Sequence, residues 1–180
     1  TPNLQFHIQP ISTDQSGGAN LHDFHAFTPT VANIRPTSRG EIIISSNDTK
    51  VNPKIKMNYL STDEDRKVAA DGIKLIRKIV METNEFKKYE PEEFRPGSHL
   101  NDKEEIVKAC SHYAQTIFHP VGTCKMGNDD SAVVSDKLKV HGLNKLRVID
   151  ASIMPNITSG NTNAPTIMIA EKGADMILSP

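Results

Sequence analysis

Leu4, Phe6 and Ile8 alternate with Gln5, His7 and Gln9 near the start of the chain, the two-residue period of a half-buried strand. Two more extended runs come after it, "FTPTVANIRP" from Phe27 and "GEIIISS" from Gly40, separated by the turn residues of "RPTSRG". "PKIKMNYL" alternates again, with Ile55, Met57 and Tyr59 on one side. "DQSGGANLHD", from Asp14 to Asp23, is a loop by its glycine, serine and asparagine content. The period then changes. Ser61 and Glu64 have the spacing of a capping box, and Ala69, Ile73, Ile76 and Val80 recur behind it as one apolar helical face. Asn101 and Glu104 open a second helix with the stripe Ile106, Cys110, Tyr113 and Ile117. Pro120 has no amide to donate, so this helix is expected to end close to His119. "LKVHG" and "KLRVIDAS" read as short strands and "MPNITSGNTN" as a polar loop. "APTIMIAEKGADMI" predicts a final helix with Pro165 in its first turn and Ile167, Ala170, Ala174 and Ile177 buried. These elements predict an α+β fold, antiparallel strands with helices.

Composition narrows the function classes. The 180 residues carry a net charge of −1 with acids and bases interspersed, so no basic face points to nucleic acid. No apolar run approaches the ~20 residues of a membrane span. Cys110 and Cys124 read as free thiols. The chain opens on Thr1, and at once on a strand pattern, which leads us to expect part of a longer polypeptide.

Three places have residue types suited to chemistry. His119 stands before Pro120 in "FHPVGTCKMG"; it is either a helix-terminal histidine favoured by the dipole, or a general base in a loop fixed by Pro120 and Gly122. Asp150 and Ala151 end the run "RVIDAS", where a carboxylate suits ribose or ribityl hydroxyls or simply caps the next turn of the chain. "SGNTNAPT", Ser159 to Thr166, places small and amide residues before a helix start, suited to an electron-rich group or to ordinary capping. His22 and His25, even with His99, lack the neighbours of a metal site, and none is assigned. "EFKKYEPEEF" reads as a solvated connector, and Asn47 and Asn156 each begin a glycosylation-type triplet.

From Phe118 onward, "FHPVGTCKMG…AVVSDKLKVHGLNKLRVIDASIMPNITSGNTNAPTIMIAEKGADMI" resembles the C-terminal region of the glucose-methanol-choline (GMC) oxidoreductases, and within them the insect glucose dehydrogenase-like branch. "RPTSRGEIIISS" and "PKIKMNYLSTDED" resemble that family's substrate-binding domain; the likeness is weak over residues 1–27 and 84–105. The resemblance implies FAD as cofactor and oxidation of the CH–OH group of an alcohol or sugar, with a quinone or O₂ as electron acceptor. It implies His119 as catalytic base and Asn161 as its catalytic partner. Asp150, Ala151, Asn163, Ala164, Pro165 and Thr166 would contact the cofactor. Residues 1–127 would form the C-terminal part of a substrate-binding domain, and residues 128–180 would return a strand, a loop and a helix to a Rossmann-type FAD domain lying outside this sequence. A secreted location is implied by the resemblance alone. Taken by itself the 180-residue chain is expected to be inactive, and a truncated binding module of GMC descent is the alternative.

Overall fold

The computed structural model describes residues 1–13 and 20–179, so most of the loop expected from Asp14 lies outside the described residues. Strands β1 (Leu4–Gln9) and β2 (Thr28–Asn33) pair antiparallel, as do β3 (Glu41–Ile43) and β4 (Lys54–Lys56). The helices are α1 (Asp63–Glu82), the short α2 (Asn84–Lys87), α3 (Lys103–Tyr113) and α4 (Asn163–Leu178). The expected α+β class is therefore what the structure shows. No helix among the described residues is long and apolar enough to cross a membrane.

Contacts divide the chain into two compact units, residues 1–33 with 62–114, and residues 34–61 with 115–180. In the first unit α1 packs on β2 and α3 on α1, burying Ala70, Ile106, Val107 and Ala109. Both faces of the β1–β2 ribbon are partly covered. His7, expected to face outward, is half-buried, whereas Ile8 is exposed. The α1 cap lies one residue later than the capping box predicts: Thr62 Oγ1 accepts the Asp65 amide at 3.2 Å. Asp65 explains the shift. Its carboxylate is buried and takes a 3.1 Å bond from Asn33 Nδ2, which fixes where the helix starts. Ala69, Ile73, Ile76 and Val80 are half-buried along α1, as the period predicts.

The cap of α3 is also one residue late, on Asp102, whose Oδ1 accepts the Glu104 amide at 2.8 Å. The connector at 85–94 is only partly solvated. Glu93 takes both branches of the Arg77 guanidinium, at 2.8 and 2.9 Å, and Arg77 also donates to the Leu100 and Gly97 carbonyls. The Glu93 side chain retains 12% exposure, so this fork–fork pair anchors the segment instead of decorating it. Cys110 and Cys124 are free thiols.

In the second unit Val134, Leu138, Ile153, Met154 and Ile169 form the buried core. The run "PKIKMNYL" stops at Lys56 because Asn58 and Leu60 take left-handed backbone, φ 54° and 55°. The same cause removes two expected strands. Leu138, Gly142 and Lys145 have φ of 60°, 75° and 62°, so "LKVHG" and "KLRVIDAS" contribute only isolated bridges, Val134 with Val140 and Lys139 with Arg147. Residues Ala151–Ile153 form a 3₁₀ turn.

The buried face of α4 differs from the expected one. Ile169 and Gly173 are buried and Met176 is half-buried, while Ile167, Ala170, Ala174 and Ile177 are exposed. The helix is apolar on more than one side, so periodicity alone does not select a face. Contact with Ile149 selects it: a Cβ on Gly173 would lie 2.4 Å from Ile149 Cγ2, an approach only glycine permits.

Candidate active site

The segment carrying His119 is not the end of a helix. α3 stops at Tyr113, Ala114 is extended, and Phe118 donates its amide to Thr116 Oγ1 at 3.1 Å. Phe118 has φ 62°, left-handed backbone that costs a bulky residue on the order of 1–3 kcal/mol. The helix-terminal account of His119 therefore falls, because the imidazole stands well beyond the Ala114 cap. Pro120 constrains the next step. Gly122 then turns at φ 91°, left-handed backbone that favours glycine, and a Cβ there would sit at ordinary contact distance, 3.4 Å, from the Met154 carbonyl oxygen. Beyond this turn the chain is tied to the 150–154 segment, Cys124 N–H donating to Ser152 O at 3.0 Å and Met126 N–H to Ile153 O at 2.8 Å.

Facing this loop is the polar segment before α4. Two arginines from the β2–β3 connection hold it: Arg35 Nε donates to Ser159 Oγ at 3.0 Å and Arg39 Nη2 to Asn156 Oδ1 at 2.6 Å. Ser159 has φ 61°. The segment delivers Asn161 and Thr162 to the histidine, one to each ring nitrogen. Asn161 Nδ2 is 2.7 Å from His119 Nε2, and Thr162 Oγ1 is 2.9 Å from His119 Nδ1. The Thr162 amide lies 3.4 Å from the same Nδ1. Asn161 is exposed, His119 half-buried and Thr162 buried at 7% exposure, so one edge of the imidazole is open and the other is held inside.

The other predicted residues fall into two groups. Asn163 and Ala164 are exposed at the start of α4, with Pro165 and Thr166 half-buried behind them. Thr162 gives α4 no side-chain cap, and the first turn has no acidic residue, so the positive end of the helix dipole is not neutralised from within that turn. Asp150 is exposed and caps the 3₁₀ turn, its Oδ1 accepting the Ser152 amide at 2.8 Å and the Ser152 hydroxyl. Capping uses part of its acceptor capacity, since an ionised carboxylate offers about four lone-pair sites. Ala151 begins the turn.

Reading the sequence did not single out Thr162, Arg35 or Arg39. A threonine directly before an apolar helix signals a cap, and nothing local says that its hydroxyl turns to a ring 43 residues away. His22 hydrogen-bonds to Ser12 and stacks on Phe24, and no cluster of three or more His, Cys, Asp or Glu suited to a metal occurs among the described residues.

The family model described as GMC oxidoreductase matches residues 36–170. An oxygen-dependent choline dehydrogenase of Proteus mirabilis is 45% identical over 176 residues, which is 98% of this chain and 31% of that protein. The crystal structure of pyridoxine 4-oxidase from Mesorbium loti superposes with a TM-score of 0.86 at 31% identity, covering 99% of this chain and 35% of that one. A structure concerned with FAD modification in Aspergillus oryzae formate oxidase superposes with a TM-score of 0.78 at 32% identity, over 87% of this chain and 28% of that one. The chain thus spans about a third of the length of the relatives it matches. Further relatives are bacterial choline dehydrogenases as well, for example from Pseudomonas fluorescens at 42% identity over 98% of this chain and 31% of that protein. These relatives correct the expectation of an insect glucose dehydrogenase-like branch.

Proposed function

The chain belongs to the GMC oxidoreductase family, and from that premise we propose that it is the C-terminal part of a longer FAD-dependent oxidoreductase acting on the CH–OH group of an alcohol or sugar. The observation that carries this reading is the 2.7 Å approach of Asn161 Nδ2 to His119 Nε2 on the open edge of the ring. A carbinol carbon releases hydride readily only when its hydroxyl proton is removed, because the electrons left on oxygen then form the carbonyl. The substrate hydroxyl takes the place of the Asn161 amide at the single Nε2 lone pair, and His119 takes its proton there as general base, a contribution of typically ~10²–10⁴-fold. Asn161 exchanges no proton and orients the substrate oxygen from its amide. FAD, when bound, supplies the hydride acceptor.

The residues present fit that cofactor. The start of α4 has no side-chain cap and no acid in its first turn, which suits an electron-rich ring system. Asn163, Ala164, Pro165 and Thr166 would line the isoalloxazine, and Asp150 with Ala151 would hold the ribityl or diphosphate portion. In this reading residues 1–127 belong to the substrate-binding domain, and residues 128–180 complete the FAD-binding domain. The choline dehydrogenase relatives, described as oxygen-dependent, favour a small alcohol as substrate and O₂ over a quinone as acceptor.

The test is anaerobic mixing of the full-length holoprotein with a panel of alcohols that includes choline, a pyridoxine-type alcohol and glucose. Bleaching of the flavin absorbance by a panel member is the expected result. A flavoprotein reduced by none of them, and by no wider set of primary and secondary alcohols, overturns the proposal.

A further inference from the structure

We infer that Thr162 is a positioning residue for His119, its hydroxyl accepting the Nδ1 proton and so leaving the one Nε2 lone pair to accept from Asn161 and, when the substrate hydroxyl displaces that amide, from the substrate. The inference rests on the reading of His119 as the base. A neutral imidazole has one N–H and one lone pair, so the partner at one nitrogen fixes the role of the other. Asn161 Nδ2 is a donor only, and at 2.7 Å from Nε2 it requires a lone pair there. The ring proton is then on Nδ1, where Thr162 Oγ1 at 2.9 Å accepts it. Two contacts at Nδ1 disagree. The Thr162 amide, also a donor, would prefer a lone pair on that nitrogen, but at 3.4 Å it is the longest of the three contacts and yields to the shorter pair.

The helix gives independent support. Threonine is a favoured N-cap, yet the Thr162 side chain makes no cap bond to α4. Its hydroxyl goes to the imidazole instead, on a residue only 7% exposed, where exchange with water does not compete with the bond. The Thr166 amide and hydroxyl both donate to the Thr162 carbonyl, at 3.0 and 2.6 Å, which fixes the backbone from which the hydroxyl projects. A base with the opposite tautomer would present N–H to the substrate hydroxyl and accept nothing.

Thr162→Val keeps the shape and removes the hydroxyl, and no helix cap is lost with it. In the full-length holoprotein this variant is expected to slow flavin reduction about 10- to 100-fold, the effect of losing one hydrogen bond to a group that becomes charged, with FAD content unchanged. Thr162→Ser is expected to restore the rate to within a few-fold. Nitrogen NMR of histidine-labelled holoprotein, at a pH where the ring is neutral, is expected to show the proton of His119 on Nδ1 in the wild type and its loss from Nδ1 in Thr162→Val. A wild-type proton on Nε2, or a Thr162→Val variant with unchanged tautomer and rate, overturns the inference. His119→Ala separates the two claims. If it reduces flavin at the wild-type rate the base reading falls; if it is slow while Thr162→Val is normal, only the role of Thr162 falls.

Discussion

His119 Nε2 and Asn161 Nδ2 lie 2.7 Å apart although 42 residues separate them in the chain. The histidine is set by the strained Phe118, Pro120 and the turn at Gly122, and the asparagine by a segment tied to Arg35 and Arg39. Two loops, each with anchors of its own and joined through Thr162 and His119, meet at one open ring edge, an arrangement suited to a group that works on an incoming molecule.

His119→Ala is therefore expected to slow flavin reduction by alcohol in the full-length protein by about 10²–10⁴-fold, with the cofactor retained. Stopped-flow absorbance under anaerobic conditions measures this. A rate equal to wild type removes His119 from the proton transfer.

Asp150→Ala loses two interactions at once, the cap of the 3₁₀ turn and the proposed cofactor contact. The expected result is weaker FAD retention on dialysis, with near-normal hydride transfer in the molecules still loaded. Ser152→Ala removes one donor to Asp150 and leaves the carboxylate, so it should retain more FAD than Asp150→Ala. Equal losses in the two variants would assign Asp150 to the turn alone.

The helix cap gives a prediction independent of function. Thr62→Ala should cost α1 about 1 kcal/mol, read as faster amide hydrogen exchange at Asp65 and its neighbours in the first turn. Ser61→Ala leaves the cap in place, since Thr62 Oγ1 is the acceptor for Asp65, and should change that exchange less. The reverse order would restore the Ser61–Glu64 box.

Acid should expose the role of Asp129. Hydrogen bonding from the Ser131 hydroxyl, then from Lys125, lowers its carboxyl from 3.8 to about 2. A group whose folded value is depressed stabilises above its unfolded value, and its contribution is lost as pH falls from about 3.8 through about 2. Carboxyl NMR should find the midpoint near 2, moving upward most in Ser131→Ala and also in Lys125→Ala. A wild-type midpoint near 3.8 would mean that these bonds do not persist in solution.

Where a residue pattern answers to local physics, the sequence alone determined the outcome. The period of α1 gave the stripe of Ala69, Ile73, Ile76 and Val80, the α+β class came from the change of period, and the segment from Phe118 identified the family. Caps came within one residue, because overlapping hydroxyl and acid pairs satisfy the same spacing. The buried Asp65–Asn33 bond, 32 residues apart, then chose between them. Tertiary structure alone decided the rest. Left-handed residues such as Leu138 and Lys145 broke two apolar runs that read as strands. An apolar helix with more than one candidate face turned Ile169 and Gly173 inward because Ile149 met the glycine. The Thr162 hydroxyl left its own helix for an imidazole. Each of these depends on a partner distant in sequence, and neither local propensity nor periodicity contains the identity of that partner.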